Sequence, residues 1–365
     1  MKVALVYDRV NKWGGAERVL LALHQIWPEA PLFTAVYNPK TALWAKKFRV
    51  IPSFLNKLPL AKKHHEIYPW LTPLAFESFN FDPPAGGYDV VISVTSAEAK
   101  GIVTKPQTLH FCYCLTPTRY LWSDYEDYFQ NKTLRFLTKP IVAYLRRWDK
   151  IASQRPDVYL AISKNVQKRI KKYYRRDSKV IYPPVETEKW RPGIDGKPAD
   201  FFLVVSRLVA YKKVDLVVRV FNQLGLPLKI VGVGQQAKKL KKMAKKNVQF
   251  LGQLTDAQLL GYYQKCRAVI FPQVEDFGLV PLEAQSCGRP VIAYRNGGVL
   301  ETVIEGKTGL FFEKQSEKEL IGAIKKFKNL KFDPKECRTN ALRFSQEEFV
   351  KRMKRLVEEK WQKMS

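Results

Sequence analysis

Short apolar runs alternate with segments of helical periodicity along most of this chain. In its first half the runs cover residues 3–7, 32–36, 90–92, 109–113 and 158–162. A run of this length, bounded by polar residues, is typical of a strand that is buried on both faces of a parallel sheet. The alternation of such strands with helices predicts a doubly wound, Rossmann-like α/β domain.

A second series of the same kind begins near residue 201. Its apolar runs cover residues 201–205, 228–231, 248–251, 268–271, 291–294 and 310–312, and they predict a second Rossmann-like domain. Between the two series, residues 182–198 are rich in proline and charge and have little periodicity, so they are the best linker candidate. We therefore predict an N-terminal domain over residues 1–185 and a C-terminal domain over residues 186–344.

The last segment predicts one amphipathic helix over residues 345–365. Ser345 and Glu348 have the spacing of a capping box at its start. Apolar residues follow at helical spacing, namely Phe349, Met353, Leu356, Val357 and, one turn further on, Trp361. The pattern itself does not show which domain this apolar face packs against.

Composition bounds the class of protein. At 365 residues the chain is long enough for two cores, and an apolar fraction of 46% excludes a disordered chain. The apolar runs are shorter than the roughly 20 residues of a membrane span, and the N-terminus enters a strand directly, so we expect a cytoplasmic protein. Five cysteines are an odd number without metal-ligand spacing, so neither a disulfide framework nor a zinc site is predicted.

The net charge of +29 favours an anionic partner, which could be a membrane surface, a nucleic acid or a diphosphate-bearing substrate. Basic residues cluster at 164–179 and 238–246. In the second cluster Leu240 and its helical neighbours are apolar, which indicates an ordinary solvated helix face. No zinc-finger or RRM-type pattern accompanies the clusters, so we expect no specific nucleic acid partner.

Residues 38–81 combine aromatic residues, prolines and lysines, and the stretch 68–76 would be costly to expose to water. Two interpretations stay open. The segment is a packed insertion, or it is an interfacial patch whose aromatic side chains lie among lipid headgroups while its lysines meet anionic lipid. The second interpretation predicts a peripheral position on the inner face of a membrane.

The stretch 275–283 carries the most specific chemistry of the chain. Glu275 follows an apolar strand, Gly278 permits close backbone approach to a ligand, and Pro281 suits the first position of a helix. Glu283 is then expected in the first helical turn, and Gly288 marks the end of the helix. The amides of a helix N-terminus favour phosphate, and the two carboxylates can accept hydrogen bonds from sugar hydroxyls.

This stretch resembles the E-x7-E element of the retaining, GT-B fold glycosyltransferases of family 4. The resemblance implies that Glu275 contacts the transferred sugar and Glu283 contacts the ribose of the nucleotide, with Phe277, Gly278 and Leu279 beside the donor. It also implies two Rossmann-like domains that face each other across a cleft, with the C-terminal helix crossing back to the first domain.

A second element of the family lies at the end of the strand 201–205. Arg207 and Lys212 are similar to its R-x4-K pair, which implies that they bind the diphosphate and stabilise it as the leaving group, with Ser206 beside the donor. Negative charge grows on the diphosphate as the bond breaks, so fixed cations there suit the chemistry. Lys213 stands where the family often has glycine, and a solvated lysine pair is the alternative interpretation.

Glycines follow other strands of the second domain. Gly232 and Gly234 resemble the family's loop beside the nucleotide, although a turn alone could require glycine. No third glycine completes a dinucleotide fingerprint, so NAD binding is disfavoured. Gly297 and Gly298 either allow a close approach near Glu301 or make a turn.

In the first domain, Gly14 and Gly15 belong to a Gly-Gly-Ala-Glu-Arg element that implies a position in the cleft near diphosphate or acceptor. Residues 110–122 resemble a subgroup that builds bacterial surface polysaccharides, several of them mannosyltransferases. Leu115 occupies the place of the subgroup's usual His, which leaves donor choice and activity open, while Arg119 and Tyr120 match and are expected on the acceptor side. A core position is the favoured interpretation of His110.

The resemblance implies a metal-independent hexosyltransferase without a cofactor. Its substrates would be a nucleotide sugar, with a GDP-sugar and mannose favoured by the subgroup, and a lipid-linked or glycan acceptor. Two alternatives stay open, namely another GT-B enzyme such as a nucleotide-sugar epimerase, and a catalytically silent basic binding protein on the same scaffold.

Overall fold

The computed structural model describes residues 1–81, 86–128, 131–194 and 198–364. The chain forms two compact units. Unit 1 comprises Met1–Pro183 together with Phe349–Ser365, and unit 2 comprises Pro184–Glu348. Both units are built from a parallel sheet and its crossover helices.

The sheet of unit 1 has seven strands in the described residues, in the order β3-β2-β1-β4-β5-β6-β7. The strands are β1 Val3–Tyr7, β2 Leu32–Thr34, β3 Val50–Pro52, β4 Val90–Thr95, β5 Leu109–Cys114, β6 Val158–Ala161 and β7 Lys179–Val180. All pairs are parallel, and β1 is paired over its full length with the central strand β4.

The helices of unit 1 connect these strands. They are α1 Gly15–Ile26, α2 Ala61–His64, α3 Thr72–Glu77, α4 Tyr125–Tyr128, α5 Lys132–Ala152 and α6 Lys164–Tyr174. Short 3₁₀ turns lie at Leu43–Lys47, Phe54–Lys57, His65–Ile67 and Ala99–Gly101.

The sheet of unit 2 has six strands in the described residues, in the order β10-β9-β8-β11-β12-β13. The strands are β8 Phe202–Val205, β9 Leu228–Val231, β10 Val248–Gly252, β11 Val269–Phe271, β12 Val291–Tyr294 and β13 Gly309–Phe312. A 3₁₀ turn at Ala210–Lys212 precedes the first helix. The helices are α7 Val214–Leu224, α8 Ala237–Met243, α9 Asp256–Lys265, α10 Leu279–Ser286, α11 Val299–Thr302, α12 Glu317–Lys328, α13 Pro334–Leu342 and α14 Gln346–Gln362, the last of which continues into unit 1.

Both sheets reverse their strand order beside the first strand, which is the arrangement of the doubly wound fold. The reversal falls between β1 and β4 in unit 1 and between β8 and β11 in unit 2. Ligands of open α/β sheets bind at the carboxyl ends of the strands at this point. The sequence missed β3 and β7, which are three-residue and two-residue edge strands without a fully buried apolar run.

The apolar periodicity of the sequence corresponds to the core. In unit 2, the inner faces of β8, β9 and β11 pack with Val217, Phe221 and Ile324 from the flanking helices. In unit 1, Ala4, Val6 and Val91 pack with side chains of residues 33–81. The five cysteines are free and buried, so they add apolar volume to these cores.

The predicted linker is largely packed rather than extended. The chain passes from unit 1 to unit 2 at Pro183, but Val185 then pairs with Ser345, and Trp190 is fully buried against Tyr263 with ring centroids 5.4 Å apart. Arg338 donates hydrogen bonds to the carbonyl oxygens around Trp190. Residues 195–197 of the predicted linker lie outside the described residues.

The C-terminal helix α14 begins as the sequence predicts, with the amide of Glu348 donating to the hydroxyl of Ser345 at 3.2 Å. Its apolar face, including Phe349 and Met353, is buried, and Phe349 packs edge-on against Tyr113 of β5. The C-terminal helix therefore packs in unit 1, although it directly follows unit 2 in the sequence.

Residues 38–81 are partly packed into unit 1 and partly exposed. Phe76 and Leu55 enter the core of unit 1, while Leu60 and Trp70 expose large apolar surfaces to solvent. Among the described residues, no helix combines the length and the apolarity that a membrane crossing requires.

Candidate functional site

The residues predicted at the strand ends of unit 2 converge where the strand order of this unit reverses. Ser206 and Arg207 follow β8, Gln273 and Glu275 follow β11, and the Gly232–Gly234 turn follows β9. Because these strands are parallel neighbours, their carboxyl ends lie along one edge of the sheet. The arrangement is that of a ligand crevice.

A charge pair lies at the centre of this edge. The ammonium group of Lys212 donates to Oε1 of Glu275, and the amide of Gln273 donates to the same oxygen at 3.1 Å. Only 8% of Lys212 is exposed, whereas Lys213 points into solvent. The solvated-pair interpretation of the two lysines is therefore wrong for Lys212.

Arg207 lies beside this pair but in the open. Its guanidinium donates to the hydroxyl of Tyr211 at 2.6 Å, and the ring of Tyr211 lies 4.9 Å from the ammonium of Lys212. Tyr211 thus holds one cation by a hydrogen bond and contacts the other through its ring face. The Lys212–Glu275 pair thus has a second cation, Arg207, beside it.

The Glu275 loop is fixed by the two glycines after β12. The amide of Gly298 donates to the carbonyl of Glu275 at 2.8 Å, and Glu275 forms a parallel bridge with Gly297. A Cβ at Gly298 would stand 2.4 Å from the carbonyl oxygen of Asp276, so a side chain would displace the loop. Of the two interpretations of these glycines, close approach applies, and the segment that they approach is the Glu275 loop.

Helix α10 begins after Gly278, whose φ of 95° is in the left-handed region that favours glycine. The helix starts at Leu279, so the predicted placement of Pro281 at the first position and of Glu283 in the first turn is wrong. Pro281 is the third residue and Glu283 the fifth. Proline is tolerated throughout the first turn, because none of the amides there has an intrahelical acceptor. The position of a proline therefore does not identify the first residue of a helix.

Glu283 is deeply placed, with 4% of its surface exposed. Its Oε2 accepts a hydrogen bond from the hydroxyl of Tyr263 at 2.8 Å, and Tyr263 is itself packed against Trp190. Phe277, between the two carboxylates, is buried and lies 5.7 Å from the ring of Phe344. The glutamates are thus held by different elements, Glu275 by a loop and Glu283 by a helix.

The glycines after β9 have a packing reason as well as the predicted functional one. A Cβ at Gly232 would stand 1.9 Å from the carbonyl oxygen of Ser206, and one at Gly234 would stand 2.4 Å from that of Leu208. Both glycines have φ values, 134° and 157°, that other residues rarely adopt. They let the β9 turn lie directly on the segment that carries Arg207.

In unit 1, Gly14 and Gly15 begin α1 beyond the end of β1. A Cβ at Gly14 would stand 3.1 Å from Oε2 of Glu17, and the buried carboxylate of Glu17 accepts from the hydroxyl of Tyr7 at 2.7 Å. Burial raises the pKa of Glu17. The glycine turn therefore lies close to a carboxylate that is hydrogen-bonded to the last residue of β1.

Residues 115–120 follow β5. Leu115 is half-buried and its amide donates to Thr95 at the end of β4. Arg119 donates to Asp124 at 3.3 Å, and the hydroxyl of Tyr120 donates to Glu98. Burial raises the pKa of Glu98, and the raised pKa of Tyr120 has the same cause, so Tyr120 remains the donor.

His110 takes the core position that the sequence favoured. It is fully buried, its Nε2 lies 2.8 Å from the hydroxyl of Ser93, and burial lowers its pKa to about 3. The imidazole is therefore uncharged at neutral pH. His110 is the second residue of β5, so it lies at the opposite end of this strand from the candidate ligand-binding edge.

Sequence reasoning missed several residues at these edges. Asp8, directly after β1, accepts hydrogen bonds from Thr95, Ser96 and Ala99 and so fixes the end of β4. Its place after the first apolar run was the available signal. Tyr263 gave no signal, because it lies 20 positions before Glu283 on another helix. Among the described residues, no cluster of His, Cys, Asp and Glu could hold a metal ion.

Comparison with known families finds one match, which lies in unit 2. Residues 185–344 match the family model described as glycosyl transferases group 1. This range covers nearly all of unit 2, and it includes Arg207, Lys212, Glu275 and Glu283. Unit 2 is therefore similar to the glycosyl transferases group 1 family over nearly its whole length.

Curated relatives include an uncharacterized glycosyltransferase of Methanocaldococcus jannaschii, which is 29% identical over 48% of this chain and 50% of its own length. Another is the GDP-mannose-dependent alpha-(1-6)-phosphatidylinositol monomannoside mannosyltransferase of Mycolicibacterium smegmatis, 32% identical over 35% of this chain and 41% of its own length. The matches thus span half or less of these relatives.

Solved structures match the whole chain. The Anabaena protein HepE in complex with UDP has a TM-score of 0.72 at 18% identity, over 98% of this chain and 100% of its own. Sucrose-phosphate synthase from Thermosynechococcus elongatus has a TM-score of 0.73 at 20% identity, over 98% and 99%. At these identities the likeness establishes the fold, and the predicted GT-B class is confirmed.

Proposed function

We propose that this protein is a retaining glycosyltransferase of family 4 that moves a hexosyl group from a nucleoside diphosphate sugar to a hydroxyl of a lipid-linked or glycan acceptor. Surface polysaccharide assembly is the proposed setting. A GDP-sugar, with mannose or a related hexose, is the proposed donor, and the name of the mycobacterial relative supports this choice. The complexes of HepE with UDP and glucose support the broader class of donor.

The observation that carries the proposal is the contact of Lys212 with Glu275 beside Arg207, at the point where the strand order of unit 2 reverses. A carboxylate suits the hydroxyls of a sugar, and two cations suit a diphosphate. Their adjacency matches the short distance between sugar and diphosphate in a nucleotide sugar.

In the proposed reaction, the bond between the anomeric carbon and the diphosphate oxygen breaks as the acceptor oxygen bonds to the same face of that carbon. The acceptor proton passes to the departing oxygen, so no protein nucleophile is needed. Arg207 and Lys212 stabilise the charge that grows on the diphosphate, which is the contribution that a divalent cation would otherwise make.

The remaining donor contacts follow from the same placement. Buried Glu283 accepts from the ribose hydroxyls, and the first amides of α10 at Gly278 and Leu279 favour a phosphate. Ser206, Gly232 and Gly234 line the turn beside the nucleotide, with Phe277 packed behind the loop. Fixed positions of this kind reduce the entropy that the donor loses on binding.

For the acceptor, we propose the strand ends of unit 1 as the binding surface, with Gly14, Gly15, Leu115, Arg119 and Tyr120 as its residues. We further propose an anionic membrane surface as a partner, because the net charge is +29 and residues 38–81 expose apolar side chains among lysines.

The test is a panel of nucleotide sugars, read by release of nucleoside diphosphate and by donor-dependent thermal stabilisation. We expect turnover with one donor, favouring GDP-mannose. Lys212→Met and Glu275→Ala should each lower the rate on the order of 10² to 10³-fold, because each removes a preorganised group at the diphosphate or the sugar.

The matched control is Lys213→Met, which removes the neighbouring but solvated ammonium and should leave the rate within about twofold. Equal losses for both lysines would contradict the proposed site. Donor binding without nucleotide release, across plausible acceptors, would instead support a silent binding protein, and recovery of an epimerised nucleotide sugar would support an epimerase.

A further inference from the structure

Helix α5 of unit 1 presents an apolar stripe to solvent. Its inner side is buried through Val142, Leu145 and Trp148. On its outer side Leu137, Tyr144 and Ile151 are 67%, 49% and 54% exposed. These three residues are spaced by seven positions, so they lie on nearly one line along the helix. Phe136, beside Leu137, is 68% exposed and extends the stripe.

The exposed charges that are described on α5 itself beside this stripe are all positive. Lys139, Arg147 and Lys150 are exposed, and within the described part of the chain none of them has a carboxylate partner. Asp149 is the one acidic residue in the sequence of α5, and it is fully buried, where it accepts from Lys100 at 2.5 Å. The outer face of α5 therefore combines apolar and cationic side chains without a carboxylate of its own.

This combination fits a lipid surface better than other partners. An amphipathic helix with apolar and basic residues lies in the interface, where the apolar side chains enter the headgroup layer and the cations meet anionic lipid. A two-fold contact between copies would bring the same cations of Lys139, Arg147 and Lys150 against each other. A nucleic acid would use the cations but would gain little from the apolar stripe.

We propose that the outer face of α5 binds an anionic membrane, with Leu137, Tyr144 and Ile151 inserted among the headgroups and Lys139, Arg147 and Lys150 in contact with lipid phosphates. This site is separate from residues 38–81, and it stands on the exposure and charge of α5 alone. Its link to a lipid-linked acceptor rests on the proposed function.

The inner side of α5 holds the segment that we assign to the acceptor. Asp149 accepts from Thr118 at 2.8 Å and from the indole of Trp122 at 2.7 Å, and Arg146 donates to the carbonyl of Leu121 at 2.8 Å. Arg119 and Tyr120 lie between these anchored residues. A helix that lies on the membrane would thus place the acceptor segment at a fixed depth from the lipid.

The experiment is sedimentation of the full chain with vesicles of phosphatidylcholine alone and of phosphatidylcholine mixed with phosphatidylglycerol, without donor. We expect binding to the mixed vesicles that weakens as salt is raised. The triple variant Leu137→Gln, Tyr144→Gln, Ile151→Gln should lower the partition coefficient at least roughly tenfold. The triple variant Lys139→Glu, Arg147→Glu, Lys150→Glu should lower it at least about 30-fold.

The matched control reverses three exposed lysines on α8 of unit 2, as Lys238→Glu, Lys241→Glu, Lys242→Glu, with the same change in net charge. It should retain binding within about threefold. Equal losses in the two charge variants would overturn the proposal, because they would show a general effect of net charge. Binding that is unaffected by the apolar variant would overturn it as well.

A second copy is the remaining occupant to test. We expect sedimentation velocity without vesicles to show no dimer that depends on Leu137, Tyr144 and Ile151. A parent dimer that is lost in the apolar variant, together with no binding to vesicles, would overturn the proposal. Nucleotide release by the α5 variants in solution should stay within about twofold of the parent, since α5 supplies no donor contact. Failure of membrane binding is thereby distinguished from failure of the proposed glycosyl transfer.

Discussion

At the scale of single residues, neighbours in the sequence acquire different chemistry through burial. Lys212 and Lys213 are adjacent and identical in type, yet Lys212 is buried against Glu275 and Lys213 is solvated. From the sequence, Lys212 could be distinguished from Lys213 only because its spacing from Arg207 resembles the R-x4-K pair of family 4. The contact that distinguishes them joins positions 63 residues apart, which local patterns do not report.

The neutral state of His110 predicts a specific dependence of stability on pH. Burial lowers its folded pKa to about 3 from an ordinary 6.5, so on acidification the unfolded chain takes up a proton that the folded chain does not. The free energy of unfolding therefore falls as pH decreases through this window, by up to about 1.4 kcal/mol per pH unit from this group. The loss begins below the unfolded pKa.

We expect His110→Gln to remove this contribution, because an amide keeps a polar atom near Ser93 but does not titrate. Urea unfolding from about pH 6 to about pH 4 should show a shallower loss of stability in this variant than in the parent. His64→Gln, which changes an exposed imidazole, is the control. Parallel curves for the parent and His110→Gln would show that the buried imidazole is not the acid-sensitive group.

At the scale of elements, the sequence predicted the existence of the strands better than their ends. Most predicted strands of both units agree with the structure to within two residues, because a strand buried on both faces needs a continuous apolar run. The predicted start of α10 was wrong because Pro281 was assigned to the first helical position, and the edge strands β3 and β7 were not predicted. Both are edge strands of two or three residues that form by pairing with a neighbouring strand, and a run this short does not predict a strand.

The turn after β9 gives a prediction at this scale. Gly232→Ala would place a Cβ 1.9 Å from the carbonyl oxygen of Ser206, so the segment carrying Arg207 must shift. We expect a loss of donor-dependent thermal stabilisation as well as a lower melting temperature. The loss in free energy of unfolding should exceed the roughly 1 kcal/mol that a positive φ alone costs an alanine.

Gly252→Ala is the matched comparison for that cost. Gly252 also has a positive φ, of 71°, but a Cβ at this position would have no atom within 4 Å. The variant should lose only about 1 kcal/mol of stability and retain donor binding. Comparable donor binding in both variants would contradict a role of the β9 turn in shaping the site.

At the scale of the whole molecule, the two ends of the chain belong to one unit. Residues Phe349–Ser365 complete unit 1, whose first strand begins at Val3. Unit 1 therefore buries part of its apolar surface only when residues 349–365 pack against it. Its buried contacts with α14, such as that of Tyr113 with Phe349, join residues more than half the chain apart.

This connectivity predicts that a cavity in α14 destabilises unit 1 selectively. Met353→Ala removes a fully buried side chain and should cost about 2–5 kcal/mol, since the surrounding residues relax only partly. Hydrogen exchange should accelerate in β4 and β5 while β8 and β11 stay protected. Lys351→Ala, an exposed change on the same helix, should leave both sheets protected, and equal acceleration in both units would refute this prediction.

Local patterns in the sequence specify two Rossmann-like sheets, the succession of their strands along the chain and the residue types at the strand ends. These features can be read locally, since strand burial is recorded as continuous apolar runs and helix burial as apolar spacing. Folding in three dimensions is what brings Lys212 to Glu275, Tyr263 to Glu283 and Asp149 to Lys100, and what leaves an apolar and cationic face of α5 exposed. Each of these depends on which elements become neighbours when the sheets assemble, and that adjacency is set by the packing of distant segments.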